Sequence, residues 1–278
     1  MDPHGHTYTD PPPVGGPEID DPVLDVRDLE IRFVNEKANL LAVQELSYQL
    51  NRGRTLGVVG ESGCGKTVSA LAVLGLLDPP GKISGGEIWF EGRNLRLLTQ
   101  KQLAKVRGAK IGMVFQEPMT ALNPVYTIGD QISEVVVVHQ NLSKRAARVR
   151  AVELLDLTCV PAPNKRIYDY PHQLSGGLRQ RAMIAMALAG EPSLLIADEP
   201  TTALDVTLQS QILELFLEIQ SQFDMAIQLW DNYAPEFGSK TTSVEHSENS
   251  EYSLELINQD NFHQIKNLGL LYKQKITY

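Results

Sequence analysis

The sequence predicts an α/β fold built around a phosphate-binding loop, and three observations carry that expectation. The stretch Gly60-Glu61-Ser62-Gly63-Cys64-Gly65-Lys66-Thr67 fits the pattern G-x-x-x-x-G-K-[ST]. It is preceded by a short apolar run, Thr55 to Val59, and followed by an Ala-, Leu- and Val-rich segment, Thr67 to Leu77. Strand, glycine loop and helix is the context such a loop needs. A second buried-strand pattern, Ser193 to Ala197, ends in the acids Asp198 and Glu199. Open α/β sheets bind ligands at the carboxyl ends of their strands.

The chemistry follows from the residue types. Glycines let backbone N–H groups turn inward around an anion, and the following helix adds its positive end. Lys66 can reach β- and γ-phosphates, and the Thr67 hydroxyl can ligate Mg²⁺. Cys64 is read as a small packing residue within the loop. Asp198 is suited to hold Mg²⁺, while Glu199 can orient or deprotonate a water.

Composition bounds the rest. At 278 residues, with 21% charged and 42% hydrophobic residues, the chain can bury a sizeable core. A net charge of −9 argues against general affinity for nucleic acid. Two cysteines, Cys64 and Cys159, give neither a disulfide framework nor a metal-binding spacing. No run approaches the ~20 apolar residues of a membrane span. The N-terminus has no apolar signal core, which predicts a cytoplasmic location.

Taken in order, residues 1–22 carry six prolines and read as a disordered tail, with His4 and His6 as part of it. Val23–Val26, Leu29–Val34 and Leu46–Leu50 read as strands. Phe33, 27 residues before Gly60, is either a core aromatic or a ligand contact. Asp78–Gly86 reads as a Pro/Gly loop, Glu87–Phe90 as a strand, and Ile111–Phe115 as another, ending at Gln116. Pro118 and Pro124 break regular structure. Ile128–Leu157 reads as helical, with Ser143 the cap for Lys144–Leu157. The cations Lys144, Arg145, Arg148 and Arg150 are expected on a solvated face. Leu178–Ala189 and Thr207–Gln222 read as helices, with Met183 and Met186 as core fillers.

These motifs together resemble the ATP-binding subunit of an ABC transporter. Val114-Phe115-Gln116-Glu117-Pro118 matches the Q-loop and Leu174-Ser175-Gly176-Gly177 the signature. Leu195-Ile196-Ala197-Asp198-Glu199-Pro200 matches Walker B, and Ala203-Leu204-Asp205 the D-loop. Gln116 to Pro124 and Tyr170 to Gly177 are similar to the oligopeptide and dipeptide importers, a group that includes nickel importers. The resemblance covers about residues 23–227, and residues 228–278 form a divergent tail. It implies a P-loop NTPase (RecA-like) core with an N-terminal antiparallel β subdomain and a helical subdomain inserted at about 124–172. It implies ATP and Mg²⁺ as ligands: Phe33 against the adenine; Gly60, Glu61, Ser62, Gly63, Cys64, Gly65, Lys66 and Thr67 around the phosphates. Thr67, Gln116 and Asp198 would serve the metal, and Glu199 would polarise the attacking water. Ser175, Gly176 and Gly177 would contact nucleotide on a homologous or identical partner subunit. The implied partners are membrane permease subunits and, indirectly, a solute-binding protein, at the cytoplasmic face of the membrane. Leu178 departs from the Gln or Met usual after Ser-Gly-Gly, with a small expected effect. A third kind of ABC protein, acting in repair or translation, usually has two cassettes or a long coiled-coil insertion, and this chain has neither.

After Ile227 the resemblance lapses. The family pattern continues an apolar strand to Thr-His-Asp, whereas this chain reads Gln228-Leu229-Trp230-Asp231-Asn232-Tyr233. The C-terminal part of the core is therefore expected to be truncated or replaced, with no further strand pair; His246, His263 and the weak alternation at Leu268–Tyr272 match no motif. Two readings follow: a peptide-import ATPase subunit, or an ATP-binding remnant impaired in hydrolysis. Asn232 stands where the resemblance puts a histidine, and an amide can neither carry a proton nor a positive charge to a γ-phosphate. Losing one such group costs about 2.7–4 kcal/mol, roughly a hundred- to thousandfold in rate. Steady-state phosphate release by the purified chain is thus expected near background and partly restored by an intact partner subunit. Robust hydrolysis with Asn232 in place would overturn that reading.

Overall fold

The computed structural model describes residues 22–35, 39–59, 63–202, 204–231, 242–243 and 255–257. The readings made on residues 1–21, Gly60–Ser62, Ala203, Asn232, His246, His263 and Leu268–Tyr272 lie outside them.

An antiparallel sheet comes first, in the order β2-β1-β4-β5: β1 Leu24–Val34, β2 Asn39–Leu50, β4 Gly81–Phe90 and β5 Arg93–Asn94. Its three long strands change parity at one level. Leu24 and Val26 point inward, and so do Leu29 and Ile31; alternation alone would turn the second pair outward. An extra residue corrects this in β1 at Asp28, φ +48°, and its neighbours bend with it, Glu45 at φ +47° and Gly86 at φ +78°. A side chain at Gly86 would run into the Asp28 carbonyl, so glycine is required there. The loop expected over Asp78–Gly86 is corrected accordingly. From Gly81 onward the chain is already strand, pairing Gly81 with Phe33, Ile83 with Ile31 and Gly85 with Glu30. Its glycines mark the bulge rather than a break.

A mixed sheet follows, in the order β6-β7-β8-β3-β10-β9: β3 Thr55–Val59, β6 Ile111–Val114, β7 Leu194–Asp198, β8 Ala226–Asp231, β9 Thr242–Ser243 and β10 Glu255–Ile257. The first four strands are parallel. Beyond β3, two short strands add antiparallel at the edge, which corrects the expectation that no strand pair follows the divergence. Gln228 to Asp231 also complete β8, so the sheet runs past the point where the motifs stop.

Helix α1, Lys66–Leu74, ends three residues earlier than its composition suggests, because Gly75 adopts the left-handed conformation that caps it. The inserted segment holds α4 Ile128–Gln140 and α5 Lys144–Leu157, after the short α2 Gln100–Val106 and α3 Pro118–Ala121. The helical stretch expected over Ile128–Leu157 divides at left-handed Asn141, and Ser143 caps α5 as expected, by accepting from the Ala146 N–H. Arg148 and Arg150 are not simply solvated: they pair with Asp130 and with Glu153 and Glu191. Gln131, buried in α4, ties down the preceding loop through the Asn123 N–H and the Asn123 and Tyr126 carbonyls. Short α6, Pro163–Arg166, leads to α7, Gly176–Leu188, and α8, Val206–Phe223, closes the helical face. Met183 is fully buried there, a core filler as expected.

The parallel sheet is covered on both faces, so its strands read as continuous apolar runs. Leu195, Ala197, Ile227 and Leu229 face the helices, whereas Leu194, Ile196, Ala226 and Trp230 face the antiparallel sheet and α1. Gln228 is the exception. It is fully buried, and neither its amide oxygen nor its nitrogen has a hydrogen-bond partner. The Trp230 indole N–H and the Tyr48 hydroxyl are likewise without partners, their rings edge-to-face at 6.4 Å. Burial pushes the Tyr48 phenol far above its ordinary range, and the Gln228 amide beside it offsets that only in part. Amide and hydroxyl face each other without closing a hydrogen bond of ordinary geometry. An unpaired buried polar group costs ~1–3 kcal/mol. Gln228→Val should therefore raise the unfolding free energy by about that amount, read from the urea midpoint. A lower midpoint would mean that the amide is paired in solution.

Candidate nucleotide site

The site is set by strand register. Asp198 of β7 is level with Trp230 of β8, and Trp230 with Val58 of β3; on the other side Ala197 is level with Val114 of β6. Three parallel strands therefore release their chains at one edge: the phosphate loop after β3, Gln116 after β6, and Asp198–Glu199 at the end of β7.

At the loop, Gly65 takes φ +96° as the first cap of α1. A Cβ there would press to 2.8 Å on the Ala42 carbonyl and 2.9 Å on Val43, so the loop can pass under β2 only as glycine. On the other side, Gly63 is open, with nothing within 4 Å of where a side chain would start. Lys66 is buried, its ammonium 3.6 Å from the Cys64 sulfur, and Cys64 is half-buried. Thr67 is exposed. Gly60, Glu61 and Ser62 lie outside the described residues.

The acids come at the end of β7, whose every residue is buried, and the chain bends away at Glu199 and turns at Pro200. Asp198 is buried, and its Oδ1 has no hydrogen-bond partner. Desolvation raises its pKa above the ordinary carboxylate value; Glu199 adds to this, while the Thr67 hydroxyl and Lys66 ammonium oppose it. Glu199 is also buried and takes left-handed φ +44°, unusual for a residue with a side chain. Its N–H donates to the Trp230 carbonyl at 2.8 Å. Its Oε2 accepts from Gln116 Nε2 at 2.6 Å and from the Thr202 hydroxyl at 3.0 Å. Thr202 is the site residue that sequence reasoning missed; a hydroxyl three residues after the acid, beyond Pro200, was the available signal.

The structure thus brings Lys66, Thr67, Gln116, Asp198 and Glu199 to one edge. Ser175 caps α7 by accepting from the Leu178 N–H at 3.4 Å, with Gly176 exposed and Gly177 packed on Leu208 of α8. That leaves an open helix N-terminus directed away from this chain's core. Phe33 is half-buried on β1, its ring against Gly81. The Asp205 carboxylate caps α8 through the Thr207 and Leu208 N–H groups.

The sequence profile of the family described as ABC transporter matches residues 43–202, from the strand over the loop to the turn after Glu199. The chain belongs to the ABC transporter family. The oligopeptide transport ATP-binding protein OppD of Bacillus subtilis is 52% identical over 206 residues, which cover 74% of this chain and 58% of that protein. The dipeptide transport ATP-binding protein DppD of Haemophilus influenzae is 51% identical, over 74% of this chain and 62% of that one. The chain thus spans about three fifths of the length of the curated relatives it matches. Among solved structures, the dimeric bacterial ABC transporter cassette MJ0796 superposes with a TM-score of 0.68 at 25% identity, over 76% of this chain and 88% of that one. A dimeric post-hydrolysis state of the same cassette, bound to ADP and phosphate, gives 0.67 over the same shares. The α/β P-loop NTPase fold with an antiparallel β subdomain is therefore the ABC cassette fold. Among the described residues, no helix is long and apolar enough to cross a membrane.

Asp198 also gives the ABC site a pH signature. A raised pKa means that the folded chain holds this proton more tightly than the unfolded chain. Its contribution is favourable below 3.8, the ordinary value, and is lost as pH rises through the folded value. At neutral pH the charged carboxylate therefore opposes folding of the nucleotide-free chain. Asp198→Asn should raise the thermal midpoint at pH 7, and the gain should shrink on acidification. A less stable variant at pH 7 would contradict this.

Proposed function

We propose that the chain is the ATP-binding and hydrolysing subunit of a peptide importer, acting at the cytoplasmic face of a membrane beneath permease subunits. The observation that carries the reading is the cluster at one sheet edge: buried Lys66, the partnerless Asp198 Oδ1, and Gln116 on Glu199. An orphaned buried carboxylate oxygen beside a threonine hydroxyl fits a hard cation with oxygen ligands. Thr67, Asp198 and the amide oxygen of Gln116 would hold Mg²⁺, and bound Mg²⁺ supplies positive charge to the β- and γ-phosphate oxygens. Lys66 and the loop amides, from Gly60 through Thr67, bind and orient the phosphates. Phe33 offers its ring to the adenine. Glu199 takes the role of orienting a water and accepting its proton at a carboxylate oxygen.

Ser175, Gly176 and Gly177 form a helix start, exposed at Ser175 and Gly176, that serves a second subunit's nucleotide, identical or homologous. The dimeric state of the MJ0796 cassette supports that pairing. Closure driven by ATP and reopening after hydrolysis follow if the closed pair contacts the γ-phosphate and the open one does not. The names of OppD and DppD support peptides as the cargo. Solute contacts then lie on the permease and a separate binding protein.

Lys66→Ala should weaken binding of a fluorescent ATP analogue by at least about tenfold, the equivalent of one charge-assisted bond of ~1.5–3 kcal/mol. Unchanged affinity would remove this loop from the site. Glu199→Gln should leave that affinity within about twofold while single-turnover phosphate release falls by ~10²–10⁴-fold. Co-purification with neighbouring permease products from membranes tests the partner, and a soluble monomer that turns over ATP unaided would count against it.

A further inference from the structure

We propose that Thr202 is a positioning residue for Glu199, fixing which of its two carboxylate oxygens is presented to the attacking water. The inference rests on the hydrolytic reading of Glu199 given above.

Both donors on this carboxylate converge on one atom. Gln116 Nε2 and the Thr202 hydroxyl each donate to Oε2, at 2.6 and 3.0 Å. A carboxylate oxygen with two lone pairs is saturated by two such bonds, which leaves Oε1 as the available base. The two donors differ in kind. Gln116 comes from the exposed loop after β6, 83 residues away in sequence, and its amide is also a candidate metal ligand. Thr202 belongs to the same turn as Glu199: its N–H returns to the Glu199 carbonyl at 3.3 Å while its hydroxyl returns to the side chain. The turn thus closes on Glu199 twice. Glu199 needs such closure, because its φ of +44° is an unfavourable conformation that persists only where its surroundings over-determine it. The Trp230 carbonyl holds its N–H from one side and Thr202 holds its carbonyl and carboxylate from the other. If Gln116 were drawn to a metal, Thr202 would be the donor that remains.

Thr202 is exposed, so it can be replaced without opening the core. Thr202→Val keeps the shape and removes the donor; Thr202→Ser keeps the donor and removes the methyl group. The reading expects all three proteins to bind the ATP analogue equally. Single-turnover release of labelled phosphate should fall about tenfold in Thr202→Val and be recovered in Thr202→Ser, a modest part of the ~10²–10⁴-fold that a positioned base contributes. Crystal structures of the two variants give a readout independent of turnover. In Thr202→Val the Glu199 carboxylate should leave the position it holds in the parent, and in Thr202→Ser it should keep it. An unmoved carboxylate in Thr202→Val, or a serine variant as slow as the valine one, would overturn the assignment. Failure of every variant to bind nucleotide would instead sink the ATPase reading, and the carboxylate's position would still decide the role of Thr202.

Discussion

Everything at this site depends on the register of four parallel strands. β8 pairs with β3 on one side and β7 on the other, and β6 pairs with β7, so that Val58, Trp230 and Asp198 stand level and Val114 stands beside Ala197. A slip of one residue would turn every side chain to the opposite face and lower one strand end by ~3.3 Å. Asp198 would then face the wrong layer, and Gln116 would lose its 2.6 Å contact with Glu199. Hydrophobic burial on both faces is what prevents the slip. The core therefore positions the chemistry, and touches it only through backbone and packing contacts such as the Trp230 carbonyl and Val43.

The antiparallel sheet meets the same demand differently. Its strands cross from one inward set to another at Asp28, Glu45 and Gly86, and this bend lets a single sheet cover α1 and the parallel sheet together. Ala42 and Val43 of β2 then lie directly over Gly65, so the phosphate loop is clamped by a sheet that supplies no catalytic group. A loop that must wrap an anion benefits from being shaped beforehand, because the ordering cost is met in folding rather than in binding.

Much of this was legible in the sequence, and for stated reasons. Glycine loop, apolar strand and helix are local patterns, and the acids after Ala197 end a run that only a buried strand explains. The strand over Gly81–Gly86 was not legible, since its glycines serve a bulge whose partner, Asp28, is 58 residues away. The hydroxyl of Thr202 was missed because its role exists only once the turn after Pro200 closes. The edge strands β9 and β10 follow from pairing with β3 and leave no clear periodicity in so polar a segment.

β8 brings these threads together. It is the strand in which the resemblance lapses, yet its contribution to the site is main-chain: the Trp230 carbonyl receives the Glu199 N–H whatever side chain residue 230 carries. Strand geometry, supplied by Ile227 and Leu229 on the helical face, is enough to place that carbonyl. The altered side chains act elsewhere, on the opposite face, where Gln228, Trp230 and Tyr48 leave four polar atoms buried without partners. A stability of about 5–15 kcal/mol can absorb one or two such defects, but each narrows the margin. The divergence in β8 therefore weakens the platform of the site more than its geometry. A site can keep its atoms in place while the sheet beneath it becomes easier to unfold.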